Sequence, residues 1–232
     1  MRMMRILVVL ALAGTLLPRG AQAQRIDSPY RFVETSQAAG GFAGFIATGQ
    51  NAREMGPDGG VYFGARYGIR ISGPFGIEGT IGYLPTTRDV FAVDTLAADS
   101  TDRALLGTAD VQLLLAGVQL RFDLTGPRTW HRLQPFLLAG GGIAVDLASE
   151  SSHDEELEVD ERFDFGTSFA GELGAGIELH LADNLSLRGD VRSHFWKLPT
   201  PAAFALVRPE AGLPEDEWIS NWTMSAGISL RF

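Results

Sequence analysis

The last eleven residues, Trp222 to Phe232, alternate without a break. Trp222, Met224, Ala226, Ile228, Leu230 and Phe232 are apolar, whereas Thr223, Ser225, Gly227, Ser229 and Arg231 are polar or very small. Successive side chains of a β-strand point to opposite faces, so a period of two gives this strand one greasy face and one polar face. A wall between lipid and a polar interior needs such a strand.

The same pattern recurs upstream, giving eight alternating segments in all. Val61, Phe63, Ala65, Tyr67, Ile69 and Ile71 alternate with Tyr62, Gly64, Arg66, Gly68 and Arg70. After a Ser72-Gly73-Pro74 turn, Phe75, Ile77, Gly79, Ile81 and Tyr83 oppose Gly76, Glu78, Thr80 and Gly82. A further segment sets Leu114, Ala116, Val118, Leu120 and Phe122 against Gly117, Gln119 and Arg121. Its start is irregular, because Asp110 and Gln112 share the apolar parity; either they lie above a membrane or a bulge shifts the register. Segments at Phe136–Leu147, Ser168–Leu181 and Leu185–Phe195 follow, the last two joined by Ala182-Asp183-Asn184. The first segment falls within Gln37–Ala47 (QAAGGFAGFIA), whose faces the pattern does not assign.

Connection lengths alternate as well. The connections Ser72–Pro74, Asp123–His131 and Ala182–Asn184 are short, and Thr48–Gly60, Pro85–Gly107, Ala148–Arg162 and Leu198–Trp218 are long. Outer-membrane barrels have short periplasmic turns and long outside loops, with both termini in the periplasm. Aromatics fall where interfacial girdles are expected: Phe122, Trp130 and Phe232 at the turn side, Tyr83, Trp196, Trp218 and Trp222 at the loop side.

The N-terminus carries Arg2 and Arg5, an apolar run from Ile6 to Leu17 and a small-residue Ala21-Gln22-Ala23 site. That is the form of a cleaved secretory signal, and the run is short for a spanning helix; an uncleaved anchor is the alternative. The expected organisation is a signal peptide over 1–23, a loose periplasmic tail over 24–36 and a barrel over 37–232. The chain has no cysteine, hence neither disulfides nor a lipoprotein anchor.

Acidic residues outnumber basic ones 28 to 19, and three of the basic ones lie in the leader. Nucleic acid, which wants a basic face, is therefore not an expected partner. Beyond the leader no stretch approaches the roughly 20 apolar residues of a membrane helix.

Alternation does not say which face is inside, and a soluble lipocalin-like barrel would reverse the sense. The terminal Ser225-x-Gly227-x-x-Leu230-x-Phe232 resembles the signal that outer-membrane barrels present to their assembly machinery. With the eight segments and the alternating connections, residues 37–232 resemble the small barrels of the OmpA, OmpX and OmpW type. The fold expected is all-β, an eight-stranded antiparallel up-and-down transmembrane β-barrel in the bacterial outer membrane. The resemblance implies a monomer whose partners are outer-membrane lipids, lipopolysaccharide and the barrel-assembly machinery. It implies roles as broad as membrane integrity, surface adhesion, or passage of small or hydrophobic solutes through a narrow porin-like channel or conduit; fold alone does not choose among them.

If the polar face is the lumen, it holds Arg66, Arg70, Arg121, Arg188, Arg192 and Arg231 against Glu78, Asp146, Glu172, Glu178 and Asp190, with His180 and His194. Eight strands leave a bore that side chains fill, and charges there are costly unless paired. Strand order places Arg66 and Arg70 beside Glu78, and Glu172 and Glu178 beside Arg188 and Arg192. These residues are candidates for a structural ion-pair plug or for a gate that opens a narrow channel. Catalysis would need a nucleophile beside a base. Ser193 and His194 are adjacent in a strand and face opposite ways, so no catalytic set is assigned and no cofactor is expected. Loop Glu150–Arg162 carries seven carboxylates but lacks the glycine and spacing of a calcium loop, so no metal site is assigned. The loop from Pro199 to Trp218 is richer in proline and apolar residues (Phe204, Leu206, Val207, Leu213) and suits either folding over the barrel mouth or an apolar contact for a partner or a greasy solute.

Overall fold

The alternating segments become strands where the period of two places them. The computed structural model describes residues 28–93, 103–207 and 215–232. The expected signal peptide lies outside these residues, as do Pro209, Leu213 and Pro214 of the last loop. The strands are β1 (Tyr30–Phe32), β2 (Gln37–Ala47), β3 (Gly60–Ser72), β4 (Phe75–Val93), β5 (Arg103–Asp123), β6 (Arg128–Trp130), β7 (Leu133–Asp146), β8 (Thr167–Ala182), β9 (Leu185–Pro199) and β10 (Asp216–Arg231). Two short helices, α1 (Ser152–Glu155) and α2 (Ala202–Val207), lie in the loops.

The eight long strands pair antiparallel in the order β7-β5-β4-β3-β2-β10-β9-β8, and a β7–β8 pairing closes the ring. Closure leaves no edge along the wall, so backbone polar groups are satisfied strand to strand. The seam between β10 and β2 runs from Trp222↔Ala47 to Arg231↔Ala38. Phe232 and Gln37 extend it, each donating its N–H to the other's carbonyl at 3.0 Å.

β2 has the expected bounds, and its faces are now assigned. Phe42 and Ile46 point inward and are buried; Ala43, Phe45 and Ala47 point out. The alternation is faint in sequence because Gly40 and Gly44 occupy inward positions tight against β10. A Cβ at Gly44 would lie 2.1 Å from the Met224 carbonyl oxygen.

The connection expected at Pro85–Gly107 is mostly strand. β4 and β5 pair from Phe75↔Phe122 to Val93↔Arg103, with one register shift at Val90/Phe91. At 19 and 21 residues they are about twice the 9–11 that a tilted crossing needs. The hairpin therefore projects past the apolar belt. This explains Asp110 and Gln112: no bulge separates them from Leu114, and they stay on the outer face, exposed, above the belt.

The tail is not loose in its described part. β1 pairs with β6, Val33 donates its N–H to Pro127 O at 3.0 Å, and the Val33 carbonyl accepts Arg70 Nη1 at 2.7 Å. Thr35 Oγ1 accepts Arg231 Nε at 3.1 Å.

The outward face is apolar. Val61, Ile69, Ile77, Leu120, Phe169 and Ile228 are all exposed, while Arg66, Glu78, Glu172, Glu178, Arg188, Asp190 and Arg192 on the alternate positions are buried. This is the opposite sense to a soluble barrel. Among the described residues no helix is long and apolar enough to cross a membrane; the crossing segments are strands.

Inside, the bore has two layers. Toward the turns it is charged. Toward the loops it is apolar, with Ile46, Leu84, Leu113, Leu115, Trp196 and Leu198 buried in one cluster. Trp196 is thus not a girdle residue: it is 0% exposed and meets Phe165 edge-on, ring centroids 6.2 Å apart. Its parity is that of His194, so it faces the lumen. Trp130, Trp218 and Trp222 do face outward.

The loops close over this apolar layer. Ser151 caps α1, its Oγ accepting the Asp154 N–H at 3.2 Å. Leu157 packs with Val90 and Ala109 of the projecting hairpin, and Phe163 and Phe165 pack on the apolar layer. Phe204 of α2 is fully buried, and its carbonyl accepts Arg53 Nη2 from the 48–59 loop at 3.2 Å.

Candidate functional site

The inward positions of β3, β4, β5, β8, β9 and β10 bring most of the expected charges into one network. β4 and β9 lie four strands apart in either direction round the ring. Long side chains nevertheless span the bore between them. Both terminal nitrogens of Arg188 donate to the Glu78 carboxylate, Nη2 to Oε1 at 3.1 Å, and Arg192 Nη2 reaches the same Oε1 at 3.1 Å. Arg192 also bonds Glu172 at 2.7 Å and Asp190 at 2.7 Å. Arg66 from β3 pairs with Asp190 at 2.7 Å, and Arg188 Nε meets the same carboxylate at 2.9 Å. Near the turns Glu178 receives Arg121 and Arg231, each at 2.7 Å.

Three expected pairings change: Glu178 is bound by Arg121 and Arg231, not by Arg188 or Arg192. Arg66 is bound by Asp190, not by Glu78, and Arg70 has no carboxylate partner among the described residues; its Nη1 donates to the Val33 carbonyl. The expectation rested on neighbouring strands, but arginines in a narrow bore reach past their neighbours. Asp146 leaves the set altogether. It sits at the loop end of β7, where its Oδ1 accepts the backbone N–H groups of Gln112 and Ala148 at 3.0 and 2.9 Å.

Other members were not singled out from sequence. Asp123 pairs with Arg121 at 2.8 Å. It continues the parity of Gln119 and Arg121, the signal that would have placed it in the strand instead of the turn. Gln119 bridges Thr80 and Glu172 at 3.0 and 2.9 Å. Ser186 donates to Glu178, and Ser225 to Asp190 at 3.1 Å. The buried carboxylates are thus both paired and hydrogen-bonded, as burial demands.

The histidines and serines form no nucleophile–base pair among these contacts. Ser193 Oγ lies 3.1 Å from Ser220 Oγ, while His194 is inside with Nδ1 3.7 Å from Glu172. His180 Nε2 lies 2.9 Å from Gln134 Oε1. Among the described residues no group of three or more His, Asp or Glu side chains is arranged to hold a metal ion. In the acidic loop, Asp154 is buried and accepts Arg88 Nη2 at 2.7 Å. Burial pushes its carboxyl up, but the hydrogen bonds from Arg88 and Ser151, with the Arg88 charge, outweigh this and hold it below the usual carboxylate range. The charge run is therefore anchored at one point, which residue spacing could not show.

Of the terminal motif, Ser225 and Gly227 face inward, and Leu230 and Phe232 are exposed on the apolar belt.

Solved outer-membrane proteins are similar in structure, and the fold is shared with the first of them. OprG from Pseudomonas aeruginosa is 15% identical, with 89% of this chain and 99% of that one aligned at a TM-score of 0.52. Neisserial surface protein A is 15% identical over 84% of this chain and 97% of its own, at 0.46. AlkL, solved in lipid bilayers, is 14% identical over 87% and 92%, at 0.49. No curated protein matches in sequence. Residues 8–232 match the family described as outer membrane protein beta-barrel domain, and the chain belongs to that family.

Proposed function

We propose that this outer-membrane barrel is closed to water and ions, and that its work is structural or is done at the surface by its loops. The observation that carries this is the stacking of two seals in one bore. The Glu78–Arg188/Arg192 bridges cross the full width of the barrel. Above them lies the apolar layer of Leu84, Leu113, Trp196 and Leu198, with Phe163 and Phe165 packed on it. An ion would have to displace paired charges and then cross a dry stretch, and both steps are costly. On this reading the turns and both termini lie in the periplasm and the loops outside. The chain works as a monomer, without catalysis, in contact with lipid and lipopolysaccharide, and Ser225, Gly227, Leu230 and Phe232 serve its assembly. The terminal pattern and the apolar belt support that placement.

The test is single-channel recording of the refolded mature chain in planar bilayers, beside a Glu172→Gln/Glu178→Gln variant. Silence from both, with heat-modifiable migration verifying the fold, is the expected result. Steady conductance in the wild type that changes in the variant would instead mean a narrow channel lined by the inward carboxylates.

A further inference from the structure

We infer that the turn half of the bore is a binding site for a small inorganic oxyanion, held between Arg66 and Arg70. A cavity of about 40 Å³ extends from Ser36 and Arg231 at the turn end inward to Arg66 and Arg188. That volume holds about three water-sized centres, which suits phosphate or sulfate and excludes a lipid headgroup with its chains.

The cavity wall carries five arginines, Arg66, Arg70, Arg121, Arg188 and Arg231, against three carboxylates, Glu78, Asp123 and Glu178. Those carboxylates are already engaged: Glu78 by Arg188 and Arg192, Asp123 by Arg121, and Glu178 by Arg121 and Arg231. Asp190, outside this lining, pairs with Arg66 and Arg188, so the uncompensated positive charge falls on Arg70, and Arg66 beside it is only partly satisfied. Arg66 is 5% exposed, and only its Nη1 has a partner; Nε and Nη2 are buried without one. Arg70 Nε is likewise buried and unpartnered. A buried guanidinium N–H left unmet is costly, and a guanidinium fork matches the geometry of an oxyanion.

Between the two arginines, on the same inward face, stands Gly68. A Cβ there would meet only the Ile77 carbonyl oxygen, at 3.8 Å. A Cβ fits there without a clash, and the substitution alters the space between the two arginines without removing either charge.

The experiment is ³¹P NMR and calorimetric titration of inorganic phosphate into the refolded barrel at constant ionic strength. Wild type, Arg70→Gln and Gly68→Val are compared, each checked for the folded form by heat-modifiable migration. Millimolar binding in the wild type, weakened at least about tenfold in both variants, is expected. Competition by sulfate at matched ionic strength should reproduce it. No binding in the wild type, or binding unchanged in Gly68→Val and Arg70→Gln, overturns the inference. Because this readout is binding and not current, it stands or falls separately from the closure of the pore.

Discussion

Glu78 of β4 and Arg188 of β9 meet in the middle of the barrel, although three strands separate them in either direction round the wall. Each is almost wholly buried, and the Glu78 carboxylate also carries Arg192. Removing its charge takes from Arg188 one of two carboxylate partners and from Arg192 one of three, leaving buried positive charge less well compensated. Glu78→Gln should therefore lower the unfolding free energy by about 3 kcal/mol, read from urea titrations followed by tryptophan emission. Glu150→Gln, at the half-exposed Glu150–Arg162 pair, should cost under about 1 kcal/mol. Equal losses at the two sites would contradict a buried cross-bore network.

The β10–β2 seam is sterically tight at Gly227. A Cβ there would fall 2.3 Å from the Gly41 carbonyl oxygen and 2.9 Å from Phe42 Cβ. Gly227→Val should cut the yield of heat-modifiable barrel sharply. Gly189→Val, where the nearest atom to a new Cβ is 4.0 Å away, should fold nearly as well as wild type. Similar yields from both would show that closure does not depend on this contact.

Loop anchoring should fail in acid. Asp154 has a depressed folded-state pKa, so its bond to Arg88 contributes stability above the unfolded carboxylate value of about 3.9 and loses it as pH falls through the folded value. Pepsin cleavage between residues 148 and 166 should accelerate on acidification through that window in the wild type. In Asp154→Asn the segment should be cut readily on both sides of it. A wild-type rate without this pH step would refute the anchor.

Four tryptophans report on the two faces. Trp130, Trp218 and Trp222 are each about half exposed on the outer surface, and Trp196 is 0% exposed in the lumen. A variant with the first three changed to Phe should emit from a site that neither brominated lipid nor acrylamide quenches. A Trp196→Phe variant should stay quenchable by brominated lipid. Strong lipid quenching of Trp196 alone would place it on the belt.

Truncation in the apolar layer should be as costly as in a soluble core. Leu198 is fully buried beside Leu84, Leu113 and Trp196. Leu198→Ala should destabilise by about 2–5 kcal/mol in the same urea assay. A loss below about 1 kcal/mol would mean that this layer is loosely packed.

The period of two is sufficient to read most of the strands and their faces. From Trp222 to Phe232 and from Val61 to Ile71 the residue types name the face they occupy, because a pleated strand allows only two directions. The same parity already carried Trp196 and Asp123 into the lumen; their residue types, a girdle aromatic and a turn aspartate, concealed it. Where glycine fills inward positions, as at Gly40 and Gly44, the pattern fades, since a close seam selects for size and not polarity.

Pairing across the bore was decided only in three dimensions. Sequence lists six inward arginines, but whether Arg66 answers Glu78 or Asp190 depends on ring closure, strand stagger and the reach of a guanidinium over a narrow lumen. The apolar seal is likewise tertiary: Leu84, Leu113 and Leu198 gain an inward neighbour only when β4, β5 and β9 curl round to face one another. Local periodicity is written along the chain. Contacts between strands four places apart are made by closure, and no local pattern records them.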